Sequence, residues 1–85
     1  MNHLKILGIQ VLDRVKEAGL TQLALTRHAN CIRTRLGFHE LNDAVCSRTG
    51  LILLELCGDP HEQAKLESDL KAIGGLNIQE MKFKM

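Results

Sequence analysis

The sequence predicts an α+β domain ordered strand, helix, strand, strand, helix, strand. Three observations carry this. Residues 51–57, LILLELC, form an apolar run broken only by Glu55. The run is too short to cross a bilayer, so it reads as a central strand buried on most of both faces. Residues 4–12 place Leu7, Ile9 and Val11 on one face and Leu4, Ile6 and Leu12 on the other, a second strand apolar on both sides. Asp59-Pro60-His61-Glu62 is a helix start, with Asp59 as N-cap, Pro60 at the first helical position and Glu62 placed for a capping box.

The chain of 85 residues is predicted to be a single domain, 1–85. A domain this small has a thin core, and oligomerisation is its natural supplement. Eleven basic and ten acidic residues give a net charge of +1, without a basic block, and two Phe with no Trp or Tyr leave little for bases to stack on. Both exclude direct nucleic-acid binding. Three cysteines, Cys31, Cys46 and Cys57, with no signal peptide or membrane span, point to reduced thiols in a cytoplasmic protein.

In chain order, Gly8 permits a close approach or a bulge in the first strand, and Asp13 can cap the helix that follows. That helix is expected to run to about Ala29. Val15, Ala18, Gly19, Leu25 and Ala29 share one side with Leu23 at its margin, while Leu20 and Ala24 sit nearly opposite as a second patch for a partner subunit. Residues 30–38 alternate as a half-exposed edge strand, with Ile32, Thr34, Leu36 and Phe38 on one face and Cys31, Arg33, Arg35 and Gly37 on the other. Residues 39–49 are polar and irregular and read as a long hairpin loop. In the second helix Leu66, Leu70 and Ile73 form the apolar stripe, Glu67 and Lys71 pair four residues apart, and Gly74-Gly75 ends it with a left-handed cap. The last strand, 76–85, changes phase between Leu76/Ile78 and Met81/Phe83/Met85, which predicts a bulge near Gln79-Glu80.

This order is the split βαβ pattern of ferredoxin-like folds, βαββαβ: a four-stranded antiparallel sheet with two helices on one face. Right-handed crossovers place the first and third strands centrally. The opposite sheet face then has no helices over it, and a second copy is expected to cover it as a dimer or tetramer.

The first strand ending VLDR, the edge strand TRLGF, the joint GLILLELCGDP and the closing GGLNIQEMKF resemble an ACT-like domain. More narrowly, they resemble the small stand-alone iron-only hydrogenase system regulators. That group is similar in fold to the effector-binding module of nickel-responsive repressors, which assembles as a tetramer. The resemblance implies a non-catalytic, oligomeric regulatory, ligand-sensing or protein-interaction module linked to hydrogenase or metal metabolism. The chain has no His-x-His pair of the nickel modules, and its first turn reads Leu12-Asp13-Arg14-Val15 where amino-acid-binding ACT domains carry Asp-x-Pro-Gly.

Two residue sets are candidates for a site. Arg33 and Arg35, with Arg48 across the hairpin, can grip a small anionic ligand through bidentate bonds; otherwise they form a charged edge that blocks strand-to-strand aggregation. His39 and Cys46, joined by His28 or Cys31, have the chemistry of a zinc or nickel sensor, or are ordinary loop and core residues. A third alternative is a small thiol enzyme with Cys46 as nucleophile and His39 as base. Cys57, among apolar neighbours, reads as a buried core residue. No cofactor or effector is named by the residues.

Overall fold

The computed structural model describes residues 3–12, 14–41 and 46–84, with side chains described except at 14–18, 38–41 and 46–49. The elements are β1 (His3–Val11), α1 (Arg14–Arg27), a 3-10 turn (Ala29–Cys31), β2 (Ile32–Leu41), β3 (Cys46–Leu56), α2 (Pro60–Ile73) and β4 (Leu76–Lys84). The strands form one sheet in the order β2-β3-β1-β4, antiparallel at every join. This is the ferredoxin-like α+β arrangement, with the two most apolar strands at its centre.

Pairing places the inward residues in rows. Leu7 lies opposite Leu54, and Ile9 opposite both Ile52 and Ile78. These side chains, with Val11 and Leu56, are buried beneath Ala24 and Leu25 of α1 and Leu66 and Leu70 of α2, and Ile32, Ile73, Leu76 and Ile78 pack at the margin. Each fully buried leucine or isoleucine contributes about 2–3 kcal/mol of transfer free energy. The apolar stripe expected of α2 is therefore the one buried.

The start of α2 is set locally. The Asp59 carboxylate accepts from the His61 N–H at 2.9 Å, and Pro60 occupies the first turn, where its missing donor costs nothing. Glu62 accepts from Lys65 at 3.3 Å, so its side chain is engaged within the first turn. The helix ends at Gly74 (φ 74, ψ 159), a conformation outside the left-handed helical region and open in practice only to glycine.

The structure departs from several expectations. Among the described side chains of α1, Thr21, Ala24 and Leu25 are buried, and His28 just past its end continues the stripe, spaced i, i+3, i+4, i+7. Gly19, Leu23 and Ala29 are exposed instead, and Ala24 belongs to the core rather than to the opposite patch. Two polar members, Thr21 and His28, hid that stripe. Val15, Ala18 and the capping Asp13 lie outside the residues whose side chains are described.

Most of the stretch read as a loop over 39–49 is strand. The β2–β3 pairing continues, through a register shift, from His39↔Gly50 to Leu41↔Cys46, beyond the last pairing with β1 at Val11↔Gly50. Such an arm is held by backbone bonds and needs no apolar alternation, so its polar composition concealed it.

The β1–β4 register runs unbroken from Val11↔Leu76 to His3↔Lys84, so there is no bulge at Gln79-Glu80. The phase change in β4 is a change of environment along a regular strand. Leu76 and Ile78 meet the helices, whereas Met81 and Phe83 lie on the other face. The register slips in β2 instead: Ile32↔Leu56 is followed by Thr34↔Glu55, leaving Arg33 as the extra residue of a bulge.

Glu67 does not rely on Lys71. Its carboxylate accepts from Lys5 Nζ at 2.7 Å, across from α2 to β1. Gly8 lies in an unbroken ladder, and a Cβ there would meet Leu53 Cδ2 at 3.7 Å, so Leu53 leans across the gap.

Candidate functional site

The bulge at Arg33 decides what the arginines can do. Up to Ile32 the inward positions of β2 face the helices; past the bulge the phase is reversed. Arg33 Nη1 reaches Glu55 Oε2 at 3.6 Å, and Glu55 also accepts from Thr34 Oγ1 at 2.9 Å. Arg35, paired opposite the buried Leu54, turns to the helix side and donates from Nη2 to Gln22 Oε1 of α1. Arg33 and Arg35 therefore project from opposite faces, not from one. Arg48 lies in the hairpin arm, seven residues along β3 from Glu55, or about 23 Å of strand. Its side chain is outside the described set. The three arginines do not converge.

The side chains of His39 and Cys46 also lie outside the described residues. Backbone register puts them near one another in the arm, with His39 opposite Gly50 and Cys46 opposite Leu41. His28 and Cys31 cannot join them: about 25 Å of β2 intervenes between Cys31 and His39. Both are engaged elsewhere. The Cys31 thiol is buried and donates to the His28 carbonyl at 3.2 Å; burial pushes its pKa up, and Cys57 and Glu62 push it further. A protonated, enclosed thiol is a core group. Cys57, expected in the core, is half-buried at the end of the sheet. Among the described residues no group of three or more His, Cys, Asp or Glu is placed to hold a metal ion.

His28 joins the two helices. Its Nε2 lies 2.6 Å from Asp69 Oδ2, and Arg27 Nη1 stands 3.4 Å from the same oxygen. The hydrogen bond from His28, reinforced by the charges of His28 and Arg27 against slight desolvation, holds the Asp69 carboxyl below its ordinary 3.8. A folded-state pKa below the unfolded one stabilises above the unfolded value, and that contribution is lost as pH falls through the folded value. Asp69→Asn is therefore expected to weaken the protein at neutral pH. The gap between wild-type and variant urea midpoints should close as pH drops from about 5 to about 3, and a gap constant across that window would contradict the assignment.

The face of the sheet away from the helices is the most extensive feature sequence reasoning anticipated. Its rows follow from the register: Leu36, Leu53, Gly8 and Gln79; Thr34, Glu55, Ile6 and Met81; Leu51, Gln10 and Asn77; Leu4 and Phe83. Leu36, Met81 and Phe83 are about half exposed (53%, 52% and 49%), Leu51 is 38% exposed, and Leu4, Ile6 and Leu53 are partly covered by these neighbours. The apolar band runs diagonally from β2 and β3 to the end of β4. One corner beside it carries neutral amides, with Asn77 Nδ2 donating to Gln10 Oε1 at 3.3 Å. The opposite corner carries the Arg33–Glu55 pair. A four-strand width of about 19 Å and a six-residue length of about 20 Å give about 400 Å² in projection for the whole face, polar corners included, within the range of the largest patches on monomers.

Leu20 and Leu23 form a smaller exposed pair on the outer side of α1. No helix among the described residues is long and apolar enough to cross a membrane.

This architecture defines an α+β domain of ferredoxin-like topology. Among solved structures the chain is similar to the uncharacterized protein TM1266 from Thermotoga maritima, with TM-score 0.79 and 24% identity over 98% of this chain and 100% of that one. It is also similar to part of a formyltetrahydrofolate deformylase from Pseudomonas putida KT2440, with TM-score 0.56 and 14% identity over 92% of this chain but only 28% of that chain. At these identities the likeness is one of fold. No family model matches the sequence. No curated protein matches it.

Proposed function

We propose that the protein is a non-catalytic, self-associating interaction module of the ACT-like kind, and that its sheet face is the surface where a second copy docks. The observation that carries this reading is the diagonal apolar band of Ile6, Leu36, Leu51, Leu53, Met81 and Phe83. A second copy suits it for two reasons. A two-fold interface must be self-complementary, and this face has a neutral centre, one amide corner and one corner holding both charges of an ion pair, so no like-charge block opposes its own copy. The projected area of about 400 Å² is about half of the roughly 800 Å² per partner of a standard interface, and the relief of its side chains adds to the area it can bury.

Two further facts support a non-catalytic role. A chain of this fold and size stands alone in TM1266, and the deformylase devotes only 28% of its length to the match, as an accessory part would be. A regulatory role linked to hydrogenase or metal metabolism remains the proposal that the sequence resemblance suggests.

Light scattering at micromolar concentration is expected to give a dimer or tetramer. The double variant Leu51→Lys/Met81→Lys is expected to run as a folded monomer with unchanged far-UV circular dichroism. A wild-type protein that is monomeric at about 100 μM, or a double variant that still assembles, would overturn the reading.

A further inference from the structure

At the end of the sheet where β1 begins and β3 and β4 finish, a cleft of about 550 Å³ opens beside the first turn of α2. Its walls carry Lys5, Lys82, Arg33 and His3 against one acid, Glu55, with Leu4, Leu56 and Pro60 as apolar lining. This end is opposite the one where β1 enters α1. It contains neither His39, Cys46 nor Arg48.

Lys5 and Lys82 are directly paired across β1 and β4, and like charges opposite one another destabilise a sheet. Lys5 is compensated by Glu67 at 2.7 Å and Glu80 at 3.5 Å, and Arg33 by Glu55 at 3.6 Å. Lys82 has no ion-pair partner among the described residues, although Glu80 two positions away lies within electrostatic reach. Lys82, with Glu80 as its acidic neighbour, thus stands beside Lys5 on the helix side of the sheet's end, and Arg33 with Glu55 lines the same cleft from the other face. The helix start does not supply the attraction, because Asp59 already takes the His61 N–H and the Asp59 carbonyl the Gln63 N–H.

We infer that this cleft binds a small metabolite bearing two anionic groups, carboxylate or phosphate. One group sits at Lys82 beside Lys5 and the other faces Arg33 at the open end of the sheet, with the apolar walls Leu4, Leu56 and Pro60 around whatever joins them. The volume is in the range of small-molecule sites. Arg33 presents a planar fork suited to a carboxylate or phosphate, and Lys82 a point charge. Glu55 is the internal competitor that the ligand displaces from Arg33, and its negative charge disfavours ligands of a single weak charge.

The test is an amide-resolved NMR titration of the intact protein with glutarate, with pyrophosphate and with acetate. One or both dianions are expected to shift the amides of Lys5, Gly58 and Lys82 saturably, with affinity at least about ten-fold above acetate, and which dianion binds separates the carboxylate from the phosphate source. Lys82→Gln, at an exposed position of the edge strand, is expected to weaken binding about ten-fold while leaving the remaining spectrum in place. Arg33→Gln is expected to do the same. No saturable shift up to about 10 mM of either dianion, shifts centred elsewhere, or binding indifferent to both variants would overturn the inference. Arg33 and Glu55 also form a corner of the face proposed for self-association, so light scattering on the same samples, together with Lys82→Gln, which lies off that face, keeps the two results separate.

Discussion

Leu54→Ala is expected to lower the unfolding free energy by about 3–4 kcal/mol, whereas Leu53→Ala, one residue away, should cost the isolated chain about 1 kcal/mol or less. Leu54 is fully buried on β3, paired with Leu7 and lying under the helices. Truncation removes its transfer free energy and leaves a void that a four-stranded sheet cannot collapse around. Leu53 points to the other face, where it is only partly covered. For a domain this size the Leu54 variant should melt roughly 15 °C lower. Thermal melts at several protein concentrations check both halves. If the sheet face carries a second copy, the cost of Leu53→Ala grows with protein concentration, while that of Leu54→Ala is large at every concentration. Equal costs for the two would contradict the assignment of faces.

Removing the ammonium of Lys5 should be the second large effect. Lys5 and Glu67 retain only 16% and 14% of their side-chain exposure, and Glu80, at 44%, opens the cluster to water on one side. Taking one partner from a buried pair costs about 3–5 kcal/mol, and the wet side brings the expectation for Lys5→Met down to roughly 2 kcal/mol at neutral pH. The stranded group is Glu67, so Lys5→Met/Glu67→Leu is expected to recover most of the loss. Burial alone would pull the Lys5 pKa down; the hydrogen bond and charge of Glu67, with the charge of Glu80, outweigh it and hold the pKa above the ordinary 10.5. The contribution is therefore complete below the unfolded value and fades as pH rises through the folded one. Urea midpoints of the wild type and both variants, followed from neutral to alkaline pH, read this directly. A double variant no more stable than Lys5→Met would show that the stranded carboxylate is not the source of the cost.

Neither face of a central strand was hidden in this sequence. Leu7, Ile9 and Val11 alternate cleanly, the 51–57 run is apolar on both sides, and the Asp59-Pro60 start with Leu66 and Leu70 one turn apart announces α2 and its buried stripe. These features obey rules spanning two to four residues, so the chain determined them without help. From them followed the element order, the two central strands and an apolar face away from the helices.

What the tertiary structure decided lies beyond that range. Lys5 pairs with a residue 62 positions away rather than leaving Glu67 to its i+4 neighbour. A single extra residue in β2 sends Arg33 and Arg35 to opposite faces and dissolves the arginine cluster their alternation suggested. The cleft at the sheet end is assembled from β1, β2, β3, α2 and β4, with no two of its cationic side chains in a recognisable motif. The physical reason is common to all three. Local pattern reports which side of an element is apolar, whereas register, which sets the neighbour each charged side chain meets, is fixed only when strands distant in sequence pair and pack together.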